Sequence, residues 1–299
     1  MNKKILVLYY SQSGQLGEII NSLTDPLIKA GNKVETVQVQ PTAAYNFPWT
    51  GKSFFAVMPD CVLEKPAELQ PLVLKDSKYD LVILGYQAWF LSPSIPANSI
   101  LHHPVIQLIL KNTPVLTITG ARNMWISAMN SIRATFNLLG ASHVGNIVLV
   151  DKHANLVSFV TILYWMFTGK RDRYLNIFPK PGVADADINN CRNFGRIIET
   201  YLYRDNFEGL QQELVAKKAV VVKYNLMFIE SKAKRIFIIW ANLIRKRKNK
   251  TPWLLIFKYY LIIALFVAAP IILTIDAIFF KPFLSARIKR QKQFFLGVN

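Results

Sequence analysis

The sequence predicts an α/β protein with a doubly wound, five-stranded parallel sheet, followed by a basic, apolar helical region. Three observations carry this: short apolar runs rich in Val, Ile and Leu, helical patterns between them, and turn residues where the pattern changes. Residues 3–10 read as a buried strand and 15–30 as a helix. In that helix Leu16, Ile19, Ile20, Leu23, Leu27 and Ile28 recur at near-helical spacing, and Gly31 stands just past the end. Residues 34–39 alternate as the second strand. Residues 40–79 are rich in Pro and aromatics (Tyr45, Phe47, Trp49, Phe54, Phe55), with one short helix predicted near 66–75. Residues 79–85 form the third strand, ahead of a loop at 86–93 and a helix at 97–110. Residues 114–120 form the fourth, ahead of a loop at 121–125 and a helix to about 139. Residues 146–150 form the fifth. An insertion at 151–187 precedes a last helix at 188–204, which closes a predicted domain of residues 1–206.

Composition divides the chain. It has 299 residues, 52% of them apolar, and a formal charge of +18. Residues 1–206 hold 19 Lys/Arg against 14 Asp/Glu, and residues 207–299 hold 17 against 4. Such apolarity, with positive charge concentrated at one end, predicts contact with anionic lipid. Only Cys61 and Cys191 occur, unpaired in sequence, so neither a disulfide framework nor a zinc site is expected, and a reducing cytoplasm is the default. His102 and His103 have no third ligand in sight, so no metal is expected.

From residue 253 to 280 the chain is apolar except for Lys258, Thr274 and Asp276. Seventeen uncharged residues separate Lys258 from Asp276, about 26 Å of helix, at the short end for a membrane span. Upstream, residues 231–250 hold eight Lys/Arg and no acid; downstream, residues 281–299 hold five more. Positive charge on both flanks opposes a simple crossing. A helical hairpin bent at Ala268-Ala269-Pro270, or a helix lying in the interface, suits both flanks, while a single span remains the alternative. In the insertion, residues 156–168 are nearly all apolar and end in Gly169-Lys170-Arg171; a core helix and an interfacial one both fit. The basic residues neighbour Leu, Ile and Phe, not stacking aromatics among polar groups, so nucleic acid is not expected.

In a doubly wound sheet, ligands bind beyond the carboxyl ends of the strands, where the loops after the first, third and fourth strands lie. The first carries Ser11-Gln12-Ser13-Gly14, with Gln15 and Leu16 opening the helix. Such a turn aims backbone N–H groups and a helix dipole at one point, and two hydroxyls without Lys or Arg suit a monophosphate better than a nucleotide triphosphate with magnesium. Plain turn chemistry accounts for the same residues. The second loop carries Tyr86, Gln87, Ala88, Trp89 and Phe90, aromatics that suit either a planar ligand or packing beneath a loop. The third carries Gly120, Ala121, Arg122 and Asn123, where Asn123 also reads as a helix N-cap. Asp151 and His153, just after the fifth strand, are candidate proton acceptors, and His153 equally reads as a solvated surface residue.

With these loops in place, residues 1–206 resemble the flavodoxin-like superfamily of FMN proteins. The run Tyr10-Ser11-Gln12-Ser13-Gly14 resembles that family's phosphate loop, whose usual Thr two residues after the Gly is here Leu16. Residues 87–96 resemble the flavin-ring loop of flavodoxin-like quinone reductases, with Trp89 or Tyr86 as the aromatic face. More narrowly, LVLYYSQSGQL, QAWFLSPS and GARNMW, with the basic apolar C-terminal region, are similar to bacterial dialkylresorcinol condensing enzymes. That resemblance implies an FMN-dependent oxidoreductase on the cytoplasmic face of the inner membrane. It would aromatise a lipid-like dialkylcyclohexane-1,3-dione delivered by a ketosynthase partner. Two other classes stay open: an NAD(P)H:quinone or FMN reductase, and a non-catalytic electron carrier or scaffold. The superfamily also leaves a homodimer open.

Overall fold

The computed structural model describes residues 2–298. Five parallel strands, β1 (Lys4–Tyr9), β2 (Lys33–Gln38), β3 (Leu81–Tyr86), β6 (Val115–Ala121) and β7 (His143–Val150), pair in the order β2-β1-β3-β6-β7. A two-residue hairpin, β4 (Ala88–Trp89) and β5 (Ser92–Pro93), follows β3. With the five long strands numbered in sequence, the order is 2-1-3-4-5, the flavodoxin-like order, with its topological switch between the first and third. The predicted fold class is therefore what the chain adopts.

The period of two explains why the strands read as unbroken apolar runs. Leu6, Leu8, Val82 and Leu84 enter the core on one face, and Ile5, Val7, Leu81 and Ile83 the core on the other. The first face is covered by α4 (Ile95–His102), α5 (Pro104–Lys111) and α6 (Ile126–Leu139), the second by α1 (Gln15–Lys29) and α8 (Asp185–Arg204). α1 and α8 pack closely at Gly195, where a Cβ would lie 2.1 Å from the Leu23 carbonyl oxygen. Gly195→Ala is expected to cost about 2 kcal/mol by overpacking, read as a lower midpoint in denaturant unfolding of the full chain.

Local chemistry accounts for three departures from expectation. The helix predicted near 66–75 is absent. Pro66 and Pro71 remove backbone donors and disfavour helix in the residues before them, and the segment runs extended beside residues 40–42 (Gln70 N to Gln40 O, 2.8 Å). Helices form earlier instead, as α2 (Gly51–Ala56) and α3 (Met58–Val62), with α2 started by a reciprocal Thr50–Ser53 capping box. The helix predicted at 97–110 is two, because His103 ahead of Pro104 is extended (φ −74°, ψ 124°).

The expected boundary at residue 206 is not a packing boundary. Leu210 and Leu214 of α9 (Leu210–Ala216) and then Ala219 complete the α1/α8 core. Val220, Val222, and Tyr224 and Met227 of α10 (Tyr224–Arg245) complete the other. The insertion carries α7 (Asn155–Thr168). The chain ends in one long helix, α11 (Thr251–Leu296), apolar and long enough to cross a membrane.

α11 does not fold back. Ala268 and Ala269 keep helical dihedrals, and a π turn at Ala264–Ala268 widens the helix just before Pro270, where a proline ring would otherwise meet the carbonyl four residues earlier. The expected hairpin is thus replaced by a continuous helix running antiparallel to α10. Phe257 packs on Phe237 (5.3 Å between rings), the Lys281 ammonium stands 5.7 Å from the Tyr224 ring, and Gln211 donates to the Leu296 carbonyl at 2.6 Å. Both ends are therefore held by the sheet domain, while Ile263, Val267, Ile271, Phe279 and Phe283 point outward.

Candidate active site

The turn after β1 is built for an anion. Gly14, the residue before α1, has φ 88°, which a residue with a Cβ adopts only under strain, and no side chain caps the helix. The first N–H groups of α1 thus lack protein acceptors. The Ser11 hydroxyl oxygen is buried without a partner, and Ser13 lines the adjoining cavity. Gln12 holds the turn to the aromatic loop, donating to the Tyr45 carbonyl at 2.8 Å and accepting from the Tyr10 hydroxyl at 2.9 Å. Burial, with Tyr45 close by, pushes the Tyr10 phenol up to about 12, so it stays a neutral donor. Gln15 and Leu16 also line the cavity, although both are anchored on the protein side. Gln15 exchanges two hydrogen bonds with the Val183 backbone (3.0 and 3.1 Å), and Leu16 is core.

The loop after β3 is a hairpin whose two turn residues, Phe90 (φ 46°) and Leu91 (φ 61°), both lie in the left-handed region, where Asn-Gly is usual. Neither is a residue that enters this region cheaply, so the surroundings must impose it. Phe90 packs at 4.7 Å on Phe54 and meets Phe257 of α11, while Leu91 is buried among α3 and α10 side chains. Lys234 of α10, one of the eight Lys/Arg in the basic stretch 231–250, reaches inward to the Ser92 hydroxyl (2.6 Å) and the Glu64 carboxylate (2.9 Å). Trp89 stands in an aromatic cage with Tyr10, Tyr45 and Trp49, ring centroids 5.4–6.0 Å away. Gln87 lines the cavity with its side-chain oxygen buried and unpartnered. Tyr86 does not line it: its ring is fully buried in the core beneath.

Gly120, Ala121, Arg122 and Asn123 line the same cavity from the end of β6. Arg122 donates to the Asn155 carbonyl (3.1 Å), and Asn123 donates to the Asn155 side chain (2.8 Å), which ties the loop to α7. Asn123 does not cap α6; Trp125 precedes it, with no side-chain cap. Asp151 and His153 do meet, at 2.6 Å, but neither lines the cavity. The Asp151 carboxylate is buried and occupied by the Ser158 hydroxyl (2.7 Å) and by the His153 backbone and ring. It anchors the start of α7, so the expected proton-acceptor role has no geometric support. Among the described residues no Asp, Glu or His lines the cavity, and no metal-binding cluster occurs.

That cavity measures about 960 Å³, at the top of the range for small-molecule sites. Sequence reasoning missed its walls: Trp49, Phe54 and Phe55 from the aromatic segment, α7, and the α11 residues Lys258, Leu261, Ile262, Leu265 and Phe266. The dense aromatics at 45–55 were the available signal; the folding of α11 over the crevice had none. Beneath β3, Glu230 of α10 caps α6, accepting from the Ser127 N–H at 2.6 Å, and burial pushes its carboxyl up to about 7.

No protein-family model matches the chain, and no curated protein matches it. Among solved structures it is similar to a flavoprotein in complex with FMN from Lactobacillus acidophilus NCFM, at 18% identity over 49% of this chain and 93% of that one, with a TM-score of 0.40. It is similar to a flavodoxin from the domain Archaea at 11% identity over 67% and 99%, TM-score 0.34. A flavone reductase is similar at 12% identity over 67% and 63%, TM-score 0.37.

Proposed function

We propose that the chain is a membrane-attached, FMN-dependent oxidoreductase that aromatises a dialkylcyclohexane-1,3-dione to a dialkylresorcinol. One observation carries the reading: a single cavity joins an uncharged phosphate cradle at the strand-order switch to an apolar mouth roofed by α7 and α11. The residues present fit FMN. The unpartnered Ser11 hydroxyl and the free N–H groups of α1 suit its phosphate, and the unpartnered Gln87 oxygen and the Trp89 cage suit a flat ring with polar edges.

FMN, when bound, supplies an acceptor for two electrons. The aromatic walls from Trp49, Phe54 and Phe90 exclude water, and the Asn155 bonds fix the 120–124 loop. Because no carboxylate or imidazole lines the cavity, the dione is taken to enter already ionised, as its enolate. Loss of hydride from the ring carbon β to a carbonyl, out of the enolate whose double bond reaches the adjacent ring carbon, leaves a neutral cyclohexenedione, and tautomerisation gives the resorcinol, so one proton and one hydride are removed in all. A ketosynthase partner is proposed as the source of the dione.

Attachment is proposed through the outward face of α11, flanked by basic residues on the cytoplasmic side, as a helix lying in the interface. Ile263→Glu with Phe279→Glu is expected to move much of the protein from the membrane pellet to the soluble fraction; unchanged pelleting would remove the anchor from this face. For the activity, the detergent-purified protein is expected to be yellow and to bleach anaerobically with a dialkylcyclohexane-1,3-dione. Bleaching by NADPH alone would assign it to the reductases, and colourless protein that takes up no FMN would end the flavin reading.

A further inference from the structure

The cavity is polar at one end, where Gln12, Ser13 and Asn123 line it, and apolar where it reaches the surface. Phe167 of α7 and Ile262 and Phe266 of α11 both line it and are 37–43% exposed, so they form the rim of its mouth. Phe159 and Phe266 close one side of this mouth edge to face at 5.2 Å. Beside it stand the outward side chains Leu156, Ile263 and Val267. An apolar mouth set in an apolar surface is unfavourable in water and favourable against hydrocarbon.

The charges in the cavity point the same way. Among the described residues two charged side chains line it, Arg122 and Lys258, and both are cations. Arg122 is engaged by Asn155 and lies 5.7 Å from the Phe159 ring. The half-buried Lys258 ammonium has no carboxylate within ion-pair distance among the described residues; it stands 5.7 Å from the Tyr259 ring. An ammonium so placed, one residue from the Phe257 that holds the Phe90 hairpin, lacks the anion that would complete it.

We propose that the space between α7 and α11 is a subsite for the alkyl chain of an amphiphile that enters sideways from the lipid, and that Lys258 binds the acidic oxygen of its polar end. The inference rests on the reading above for the identity of the ring, where that oxygen is the dione's enolate oxygen; the chain subsite stands on the cavity itself. Lys258 would stabilise the ionised dione and so supply what a general base supplies elsewhere, by favouring the form that has already lost its proton.

The test uses full-length protein in phosphatidylcholine nanodiscs at pH 8. Binding is followed by calorimetry, and FMN content is scored separately by absorption. 2-Dodecylcyclohexane-1,3-dione is expected to bind at least about tenfold more tightly than the unsubstituted dione. Lys258→Met should weaken the dodecyl dione about 10- to 100-fold without changing FMN content, and Lys258→Arg should restore most of it. Leu265→Trp, which fills the channel, should weaken the dodecyl dione and spare the unsubstituted one. Dodecanoate should bind less tightly than the dodecyl dione; equal affinity would assign the site to any acidic chain and overturn the assignment to a ring. Wild-type binding by Lys258→Met, or full chain preference in Leu265→Trp, would overturn the subsite. Colourless protein with Lys258-dependent binding would reject FMN and keep the subsite, and yellow protein with chain-independent binding would do the reverse.

Discussion

Ser13→Asp is expected to leave the protein folded but empty of FMN, and Ser11→Ala to weaken FMN binding about 10- to 100-fold. The turn holds no Lys or Arg, so the whole attraction for a phosphate comes from N–H dipoles and two hydroxyls. A carboxylate placed there meets the phosphate dianion directly. At about 4 Å and an effective dielectric of about 20, each pair of unit charges costs about 4 kcal/mol, roughly twice that for the dianion. That exceeds what a few neutral hydrogen bonds supply. Ser11→Ala removes one hydrogen bond to a charged acceptor, about 1.5–3 kcal/mol, from a hydroxyl with no other partner. Equilibrium titration of the apoprotein with FMN measures both, and circular dichroism checks the fold. Wild-type affinity in Ser13→Asp would move the phosphate away from this turn.

Stability is expected to fall as pH rises toward 7, and Glu230→Gln to remove most of that dependence. Burial raises the Glu230 carboxyl to about 7 in the folded chain, from an ordinary value near 4.5. Between these values the native state holds a proton that the unfolded chain releases. The stabilisation is therefore fully present below pH about 4.5 and is lost as pH rises through 7. At about 1.4 kcal/mol per unit the swing is about 3 kcal/mol. An amide in place of the Glu230 carboxyl keeps an acceptor for the Ser127 N–H and carries no charge to bury, so Glu230→Gln should be more stable than the parent at pH 8 and similar at pH 4.5. Denaturant unfolding across that range is the measurement; parallel slopes for the two proteins would place the charge elsewhere.

The sheet was legible because parallel strands buried on both faces need nearly continuous apolar runs: residues 5–8 and 81–84 are unbroken, and 115–118 is broken only by Thr117. The three loops were legible because topology places every strand's carboxyl end on one edge. What the sequence concealed is side-chain direction. Tyr86 and Trp89 look alike as candidate faces for a ring, yet a strand's alternation sends one into the core and leaves the other in the crevice. Asp151 and His153 do meet, but the sequence could not show that Ser158, seven residues on, occupies the carboxylate or that neither residue lines the cavity. α11 was hardest to read. Its composition suits hairpin, span and packed helix alike, and the choice rests on long-range partners such as Phe237, Tyr224 and Gln211.

Those partners also set an order of assembly. Phe257 pins the strained Phe90–Leu91 turn, Phe266 closes the mouth, and the Leu296 carbonyl is held by Gln211, so α11, made after the sheet, completes the crevice that the β1 turn begins. On the ribosome the sheet is exposed before its roof exists. Until α11 docks, the chain carries an open apolar trough and an unpartnered apolar helix. Under the attachment proposed above, a bilayer offers that helix a place, and the docking of α11 and completion of the site become one event.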